Sequence, residues 1–165
     1  MVDFKKRLIT SGDMLEVGKA AEHLVCFDLM IQGYRAYLSD QGLPYDVLVD
    51  LGGTFVRIQV KSTLKAKNAN AKGKAPNTIY QFYARSRGKN RKGTRLSEEH
   101  CDIVAFVAID IRQIAYVPIK VCPQTLGLYP PGYVFGGQGK KSRYERIHEL
   151  PFGGALEQWL SLRAA

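Results

Sequence analysis

Three side chains of complementary chemistry flank two adjacent glycines in the first third of the chain. Asp46 precedes the pair Gly52-Gly53, and Gln59 and Lys61 follow it at alternate positions. Adjacent glycines between two apolar segments predict a β-hairpin with a two-residue turn, because both turn residues can adopt positive φ. With that turn Asp46 is paired with Gln59, and Lys61 lies on the same face because side chains alternate along a strand. A carboxylate, an amide and an ammonium group are therefore expected to converge.

These three groups are the parts of a site that hydrolyses a phosphodiester. Carboxylate and amide oxygens bind a hard cation such as Mg²⁺, which keeps several of its own waters, and the carbonyl oxygen of Val60 is a further ligand candidate. The metal stabilises charge on the phosphate and helps to generate hydroxide from a bound water. The lysine can position or deprotonate that water and offset charge in the transition state. We expect Mg²⁺ at this position, with Mn²⁺ as a substitute.

A plainer interpretation is that Asp46 is only a turn residue and that Gln59 and Lys61 form a solvent-exposed strand end. Two observations favour the site. Polar Arg57, Gln59 and Lys61 alternate with apolar neighbours, as expected for one polar face over a buried one, and a strongly basic segment begins at Lys61.

The net charge of +9 is concentrated in residues 61–97, which contain 11 Lys and Arg and no Asp or Glu. Such a segment favours a nucleic acid partner, because Lys and Arg neutralise phosphates and release counterions. A membrane is not expected, because the segment lacks an amphipathic helical pattern and the longest wholly apolar stretch, residues 103–109, is far shorter than a span of roughly 20 residues. The candidate DNA contacts, with Arg85 and Arg87 as possible base readers, are Lys65, Lys67, Lys72, Lys74, Arg85, Arg87, Lys89, Arg91, Lys92 and Arg95.

Hydrophobic periodicity and turn residues predict the elements that carry these side chains. They are a helix at 13–33, strands at 34–38 and 78–85, hairpins at 45–61 and at 101–109 with 114–119, and a final helix at about 154–163. That helix is expected to bury Leu156, Trp159, Leu160 and Leu162. The order predicts an α/β (α+β) fold, a mixed central β-sheet flanked by helices, in a single domain of residues 1–165. A Pro- and Gly-rich C-terminal extension is expected over about 120–165.

Several motifs occur in order along the chain. They are Gly18-Lys-Ala-Ala-Glu22, Tyr34-Arg-Ala-Tyr, Pro44-Tyr-Asp46, Ile58-Gln-Val-Lys61-Ser-Thr, and the later Asp102-Ile-Val-Ala-Phe-Val with Ala115-Tyr-Val-Pro. This set resembles the PD-(D/E)XK nuclease superfamily, most closely the group I intron-associated homing endonucleases and the archaeal Holliday junction resolvases. The resemblance covers roughly residues 14–118 and implies a restriction-endonuclease-like fold.

The same resemblance implies roles for individual residues. Glu22 is similar to the helix glutamate that helps to bind metal or to orient its water, Asp46 to the central metal-binding aspartate, and Lys61 to the catalytic lysine. Gln59 stands where the commoner pattern has Asp or Glu. An amide oxygen still binds Mg²⁺ but carries no negative charge. Homing enzymes of this type are known to carry Gln there, so the departure points to that branch as much as to inactivity.

The expected function is that of a Mg²⁺-dependent DNA endonuclease that makes site-specific double-strand cuts of the homing type. One alternative is a Holliday junction resolvase, and another, raised by Gln59, is a weakly active or inactive nucleic-acid-binding protein on a nuclease scaffold. A homodimer or homotetramer acting on duplex or branched DNA is expected, because two strands require two sites. Three cysteines without paired spacing and a start unlike a signal peptide predict an intracellular, cytoplasmic protein associated with the nucleoid.

Overall fold

The computed structural model describes residues 13–40, 42–68, 78–85, 93–133 and 146–164. Within these ranges every predicted helix and strand is present. The elements are α1 (Met14–Ile31), β1 (Arg35–Leu38), β2 (Val47–Asp50), β3 (Phe55–Thr63), β4 (Lys67–Asn68), β5 (Thr78–Tyr83), β6 (Ile103–Ala108), β7 (Gln113–Pro118), β8 (Thr125–Leu128) and α2 (Phe152–Ala164), with short 3-10 helices at Ile119–Val121 and Ile147–Glu149.

The central sheet has five strands in the order β1-β2-β3-β6-β7. Strands β3 and β6 are parallel, whereas the other neighbours pair antiparallel. The predicted mixed sheet is thus confirmed. Every residue of β6 is buried, because the helices cover one face of the sheet and other strands cover the opposite face. Burial on both faces explains the uninterrupted apolar stretch in this part of the sequence.

The turn between β2 and β3 has the two-residue form that the sequence predicts. Gly52 and Gly53 have φ values of 79° and 116°, and Leu51 N donates to Thr54 O at 2.9 Å. Positive φ at both central residues gives the turn the twist that matches the flanking strands. The two strands consequently pair in the predicted register.

Helix α1 packs its apolar stripe on the sheet face that carries the even-numbered residues of β3. The buried residues recur every four positions and are Val17, Ala21, Val25 and Leu29. Full burial of each larger side chain contributes about 1.5–3 kcal/mol. The Tyr116 hydroxyl donates to Asp28 Oδ2 at 2.6 Å and ties α1 to β7. These contacts fix the height and rotation of the helix over β3.

Helix α2 covers the same face beside α1. Its buried residues are Phe152, Ala155 and Trp159, and the Phe152 ring lies 5.3 Å from that of Tyr116. The expectation that Leu160 is buried is wrong, since it is 48% exposed. Trp159 faces the sheet, and the next residue of a helix points about 100° away from it.

A second sheet, with the order β4-β5-β8, covers the opposite face of β6 and β7. The rings of Phe82 on β5 and Phe106 on β6 lie 5.2 Å apart. Strand β8 was not predicted, because the region after residue 120 shows no clear period. This region supplies a strand to the second sheet and a helix to the first. Among the described residues, no helix combines the length and the apolar character that crossing a membrane requires.

Candidate active site

The candidate site lies where β3 continues past the end of β2. The β2–β3 ladder ends at the pair Val47–Ile58, whereas β3 runs on to Thr63 beside β6. Asp46 lies at this step. Its backbone N–H donates to Ile58 O at 2.9 Å, so the ladder stops one pair before the predicted pairing of Asp46 with Gln59.

Side-chain contacts nevertheless join Asp46 to the extended part of β3. Gln59 Nε2 donates to Asp46 Oδ2, and the backbone N–H of Val60 donates to the same oxygen at 2.7 Å. The carboxylate thus takes the place of a strand partner for Val60 N–H. Both hydrogen bonds fix its orientation, and both use Oδ2, so Oδ1 is the oxygen that a cation would contact.

A pocket of about 520 Å³ lies between the first half of α1 and the end of the β2–β3 ladder at Asp46. It brings together all five residues that the sequence nominates for the site. The lining residues are Met14, Leu15, Glu16, Gly18, Lys19, Glu22, Asp46, Gln59, Val60, Lys61 and Ser62. Helix and hairpin therefore contribute to one concave surface, as the predicted site requires.

The charges around Asp46 act in opposite directions. Burial raises the pKa of this carboxyl above its ordinary value, because removal from water disfavours the charged form. The negative charge of Glu22 raises the pKa further, whereas the Val60 N–H and the ammonium groups of Lys61 and Lys19 lower it. The net direction is upward, so the groups present stabilise the ionised form incompletely.

Lys19 is a residue that the sequence argument missed. Its Nζ donates to Glu22 Oε2 at 2.6 Å, and the two side chains are 54% and 15% exposed. The hydrogen bond that Lys19 donates to Glu22, together with the negative charge of Glu22, raises the pKa of Lys19. The available signal was the spacing of three residues, which places Lys19 beside Glu22 on the helix surface.

The family model for PD-(D/E)XK endonucleases matches residues 13–127, a range that contains α1, the hairpin and β6 with β7. The chain belongs to the PD-(D/E)XK endonuclease family. The resemblance drawn from the motifs is thereby confirmed.

A comparison of folds agrees with this assignment. The endonuclease is similar to the solved structure of a bacterial homing endonuclease, I-Ssp6803I, with a TM-score of 0.62 over 92% of this chain and 97% of that chain. The sequence identity is 14%, so the similarity concerns the fold. No curated protein matches the sequence. The predicted restriction-endonuclease-like α+β fold is confirmed.

PD-(D/E)XK nucleases generally use divalent metal ions, and the donors in this pocket fit such an ion. Asp46 and Glu22 offer carboxylates, Gln59 an amide oxygen and Val60 a carbonyl oxygen. An all-oxygen set suits Mg²⁺ or Mn²⁺ and does not suit zinc. Within the described residues no three His, Cys, Asp or Glu side chains cluster to bind a metal. The amide, the carbonyl and retained waters would therefore complete the coordination.

The basic segment of this endonuclease is described only in part. Lys65 and Lys67 are exposed just beyond the end of β3. Arg85 and Arg95 are also exposed and face each other in an isolated antiparallel bridge. The other candidate DNA contacts lie outside the described residues and are Lys72, Lys74, Arg87, Lys89, Arg91 and Lys92.

The two described arginines are partly held by the protein itself. With the Gln124 amide oxygen oriented toward Arg85, the Nε and Nη2 atoms of Arg85 donate to it at 3.0 and 3.1 Å. Arg95 Nη2 donates to Cys122 O at 3.3 Å. Base reading by Arg85 thus stays a prediction, and it would require this guanidinium to share or to leave its contact with Gln124.

Proposed function

We propose that this endonuclease makes site-specific double-strand cuts in DNA by Mg²⁺-dependent hydrolysis, with Mn²⁺ as a possible substitute. The observation that carries the proposal is the convergence of Glu22, Asp46, Gln59 and Lys61 on one pocket of a PD-(D/E)XK chain. The similarity to a homing endonuclease favours site-specific cleavage over other modes of the same chemistry.

Each residue has a distinct part in the proposed reaction. When bound, Mg²⁺ supplies a water of lowered pKa and offsets charge on the phosphate. Asp46, whose carboxylate accepts a hydrogen bond from the Val60 N–H at 2.7 Å, would be the central ligand of the metal, and Glu22, Gln59 and the Val60 carbonyl would be further ligands. Lys61 orients the attacking water and donates to the developing negative charge as the phosphorus–oxygen ester bond breaks.

The position of the basic residues supports a DNA backbone that leads to the pocket. Lys61 lines the pocket, and the exposed Lys65 and Lys67 lie four and six residues after it in the sequence. Lysines at such a position neutralise phosphates without reading sequence. The proposed DNA path therefore enters over the end of β3, and specificity would come from base contacts farther along the basic segment.

Double-strand cleavage suggests more than one copy of the chain. We propose a homodimer or homotetramer, in which symmetry-related sites act on the two strands. Sedimentation equilibrium with and without DNA measures the subunit number.

We further propose that residues 1–165 form one nuclease domain, because β8 and α2, which follow residue 120, pack on sheets built from earlier strands.

One observation favours a second function. Gln59 supplies no negative charge where the commoner pattern has a carboxylate, and a neutral ligand weakens metal binding. The second candidate is accordingly a nucleic-acid-binding protein of weak or no catalytic activity on the same scaffold.

A cleavage assay separates these functions. The protein is incubated with Mg²⁺ or Mn²⁺ and with supercoiled plasmid, a library of randomised duplexes, or a synthetic four-way junction. Site-specific cleavage predicts a defined subset of cut duplexes. Cutting of the junction alone would identify a resolvase, and gel retardation without any cutting would identify the binding protein.

Lys61→Ala tests the assignment of the site. We expect cleavage to fall by about 10³-fold or more, because the variant lacks the group that orients water and offsets charge. DNA retardation should be nearly unchanged, since the other basic residues that we propose as phosphate contacts remain. Lys120→Gln, which removes an exposed lysine that donates to Leu162 O far along the chain, is the matched control. Undiminished cleavage by Lys61→Ala would refute the site.

A further inference from the structure

Lys19 lies in the same pocket as the proposed metal ligands and on the same helix as Glu22. Lysine and glutamate three residues apart on an exposed helix surface form common ion pairs of small energy. This pair differs from the common kind because the Glu22 side chain is only 15% exposed, whereas that of Lys19 is 54% exposed. The carboxylate is held in the pocket, and the ammonium reaches it from the solvent side.

The ammonium group of Lys19 also acts on the central carboxylate. Lys19 and Asp46 interact electrostatically in the pocket, in addition to the 2.6 Å contact between Lys19 Nζ and Glu22 Oε2. One cation therefore compensates two carboxylates of the proposed metal site. A divalent ion bound to these carboxylates would repel the ammonium and would need Glu22 Oε2 or the space beside it.

We propose that Lys19 is an internal competitor of the metal ion, paired with Glu22 when the metal is absent and displaced when it binds. The inference rests on the proposed metal site. Lysine is suited to this exchange, because a flexible four-carbon stem lets its ammonium move from the pocket into water. Lys19 is thus a residue that acts through Glu22, and its effect is on metal affinity.

Displacement has a consequence for DNA binding. The released ammonium stays at the mouth of the pocket, where a backbone phosphate can accept its hydrogen bonds. A phosphate that binds Lys19 removes the competitor, so DNA and metal each favour the binding of the other, as linkage requires.

The test is calorimetric titration of Mn²⁺ into the full-length chain without DNA. We expect Lys19→Gln to bind Mn²⁺ about fivefold more tightly than the wild type, because no ammonium group competes with the metal ion for Glu22. Lys19→Arg, which keeps the charge and can keep the pair, should remain near the wild-type affinity. Lys120→Gln removes one positive charge outside the pocket and should change the affinity by less than about twofold.

A double-mutant cycle distinguishes direct competition from a general effect of charge. In the Glu22→Gln background, Lys19→Gln should tighten Mn²⁺ binding by a smaller factor than it does in the wild type, because the pair with Glu22 is already lost and only the action of Lys19 on Asp46 remains. A gain of the same size in both backgrounds would overturn the proposal, and so would an unchanged or weaker affinity in Lys19→Gln alone. In those cases Mn²⁺ binding by the wild type would leave the proposed function intact. If neither the wild type nor Lys19→Gln binds Mn²⁺ while both keep the circular dichroism of the folded chain, the proposed metal site is refuted. The proposal that Lys19 competes with the metal is then refuted as well.

Discussion

Two polar clusters involve alternate residues of β3: Arg57 with Asp102 in the first, and Gln59 with Asp46 in the second. They differ in how completely hydrogen bonds and ion pairs within the protein stabilise their charges. At Arg57, Nε donates to Asp102 Oδ2 at 3.0 Å and Nη2 donates to Oδ1 at 3.1 Å. The remaining donors reach backbone carbonyl oxygens, with Nη1 at 3.0 Å from Glu99 O and Nη2 at 2.7 Å from Glu98 O. The backbone N–H of Arg57 completes the cluster by donating to Asp102 Oδ2 at 2.8 Å.

The second cluster, formed by Asp46 and Gln59, lines the pocket beside α1 and is open to it. Its carboxylate accepts hydrogen bonds from Val60 N and Gln59, yet burial still raises its pKa. The carboxylate of Asp102, in contrast, raises the pKa of Arg57 and so favours the charged form of its partner. The comparison indicates that the protein stabilises the charges of the first cluster by its own contacts, whereas in the second it stabilises the ionised carboxylate incompletely.

Asp46→Asn tests this contrast with the largest expected effect. Cleavage should fall by about 10³-fold or more, since the central ligand loses its charge. The metal-free variant should nevertheless melt at a higher temperature than the wild type at neutral pH, because it no longer carries a carboxylate whose ionisation is opposed by burial. Activity is measured on a cleaved duplex, and melting by circular dichroism.

The pH dependence supplies the control for Asp46→Asn. The folded-state pKa of Asp46 is raised, so its contribution to stability is greatest when the group is protonated and is lost as the pH rises through that pKa. The difference in melting temperature should therefore shrink as the pH falls toward the ordinary value of 3.8. A variant that melts lower than the wild type at every pH would show that Asp46 has a structural role like that of Asp102.

Asp102→Ala should lower the stability of the fold, in contrast to Asp46→Asn. Removal of the carboxylate leaves the half-buried Arg57 guanidinium and its backbone N–H without their partner, at a cost of about 2 kcal/mol in the free energy of unfolding. Urea denaturation measures this loss. Glu98→Gln is the matched control, because Arg57 uses only the backbone carbonyl at that position. An unchanged denaturation midpoint in Asp102→Ala would end the distinction between the two clusters.

Gln59→Glu changes the second cluster and is expected to have the smallest effect of these variants. A third carboxylate in the open cluster should raise Mn²⁺ affinity by about three- to tenfold, because a charged oxygen binds a divalent ion more strongly than an amide oxygen. Gln59→Leu, which removes the oxygen, should lower the affinity. Calorimetry without DNA measures both. Equal affinities in the two variants would mean that residue 59 does not contact the metal.

The parts of the fold that the sequence predicts depend on neighbours along the chain. The Gly52-Gly53 turn alone specifies the β2–β3 register, because a two-residue turn leaves one way to pair the strands. The four-residue spacing of Val17, Ala21 and Val25 likewise identifies the inner face of α1. These local rules were enough to bring Asp46, Gln59 and Lys61 to one pocket.

The parts that were missed depend on distant contacts. Strand β8 exists because Leu126 and Leu128 pair and pack with β5, more than forty residues earlier. No periodicity in the C-terminal region specifies that partner. Lys19 was missed because its importance comes from the packing of α1 against β3, which brings the surface of the helix to the pocket that Asp46 lines. The exposure of Leu160 depends in the same way on how α2 is rotated over the sheet.

The parallel pairing of β3 and β6 has a consequence for how such enzymes diversify. Parallel neighbours require a connection that returns along the sheet, and here residues 64–102 form it. This connection contains almost all of the basic segment and begins directly after the last strand residue, Thr63. A chimera that exchanges residues 64–102 between relatives therefore also exchanges β5, so the new segment has to keep the pairing of β5 with β8 and the packing of Phe82 on Phe106. With those contacts kept, Asp46, Gln59 and Lys61 stay with the host, whereas the basic side chains between residues 65 and 95 change with the exchanged segment.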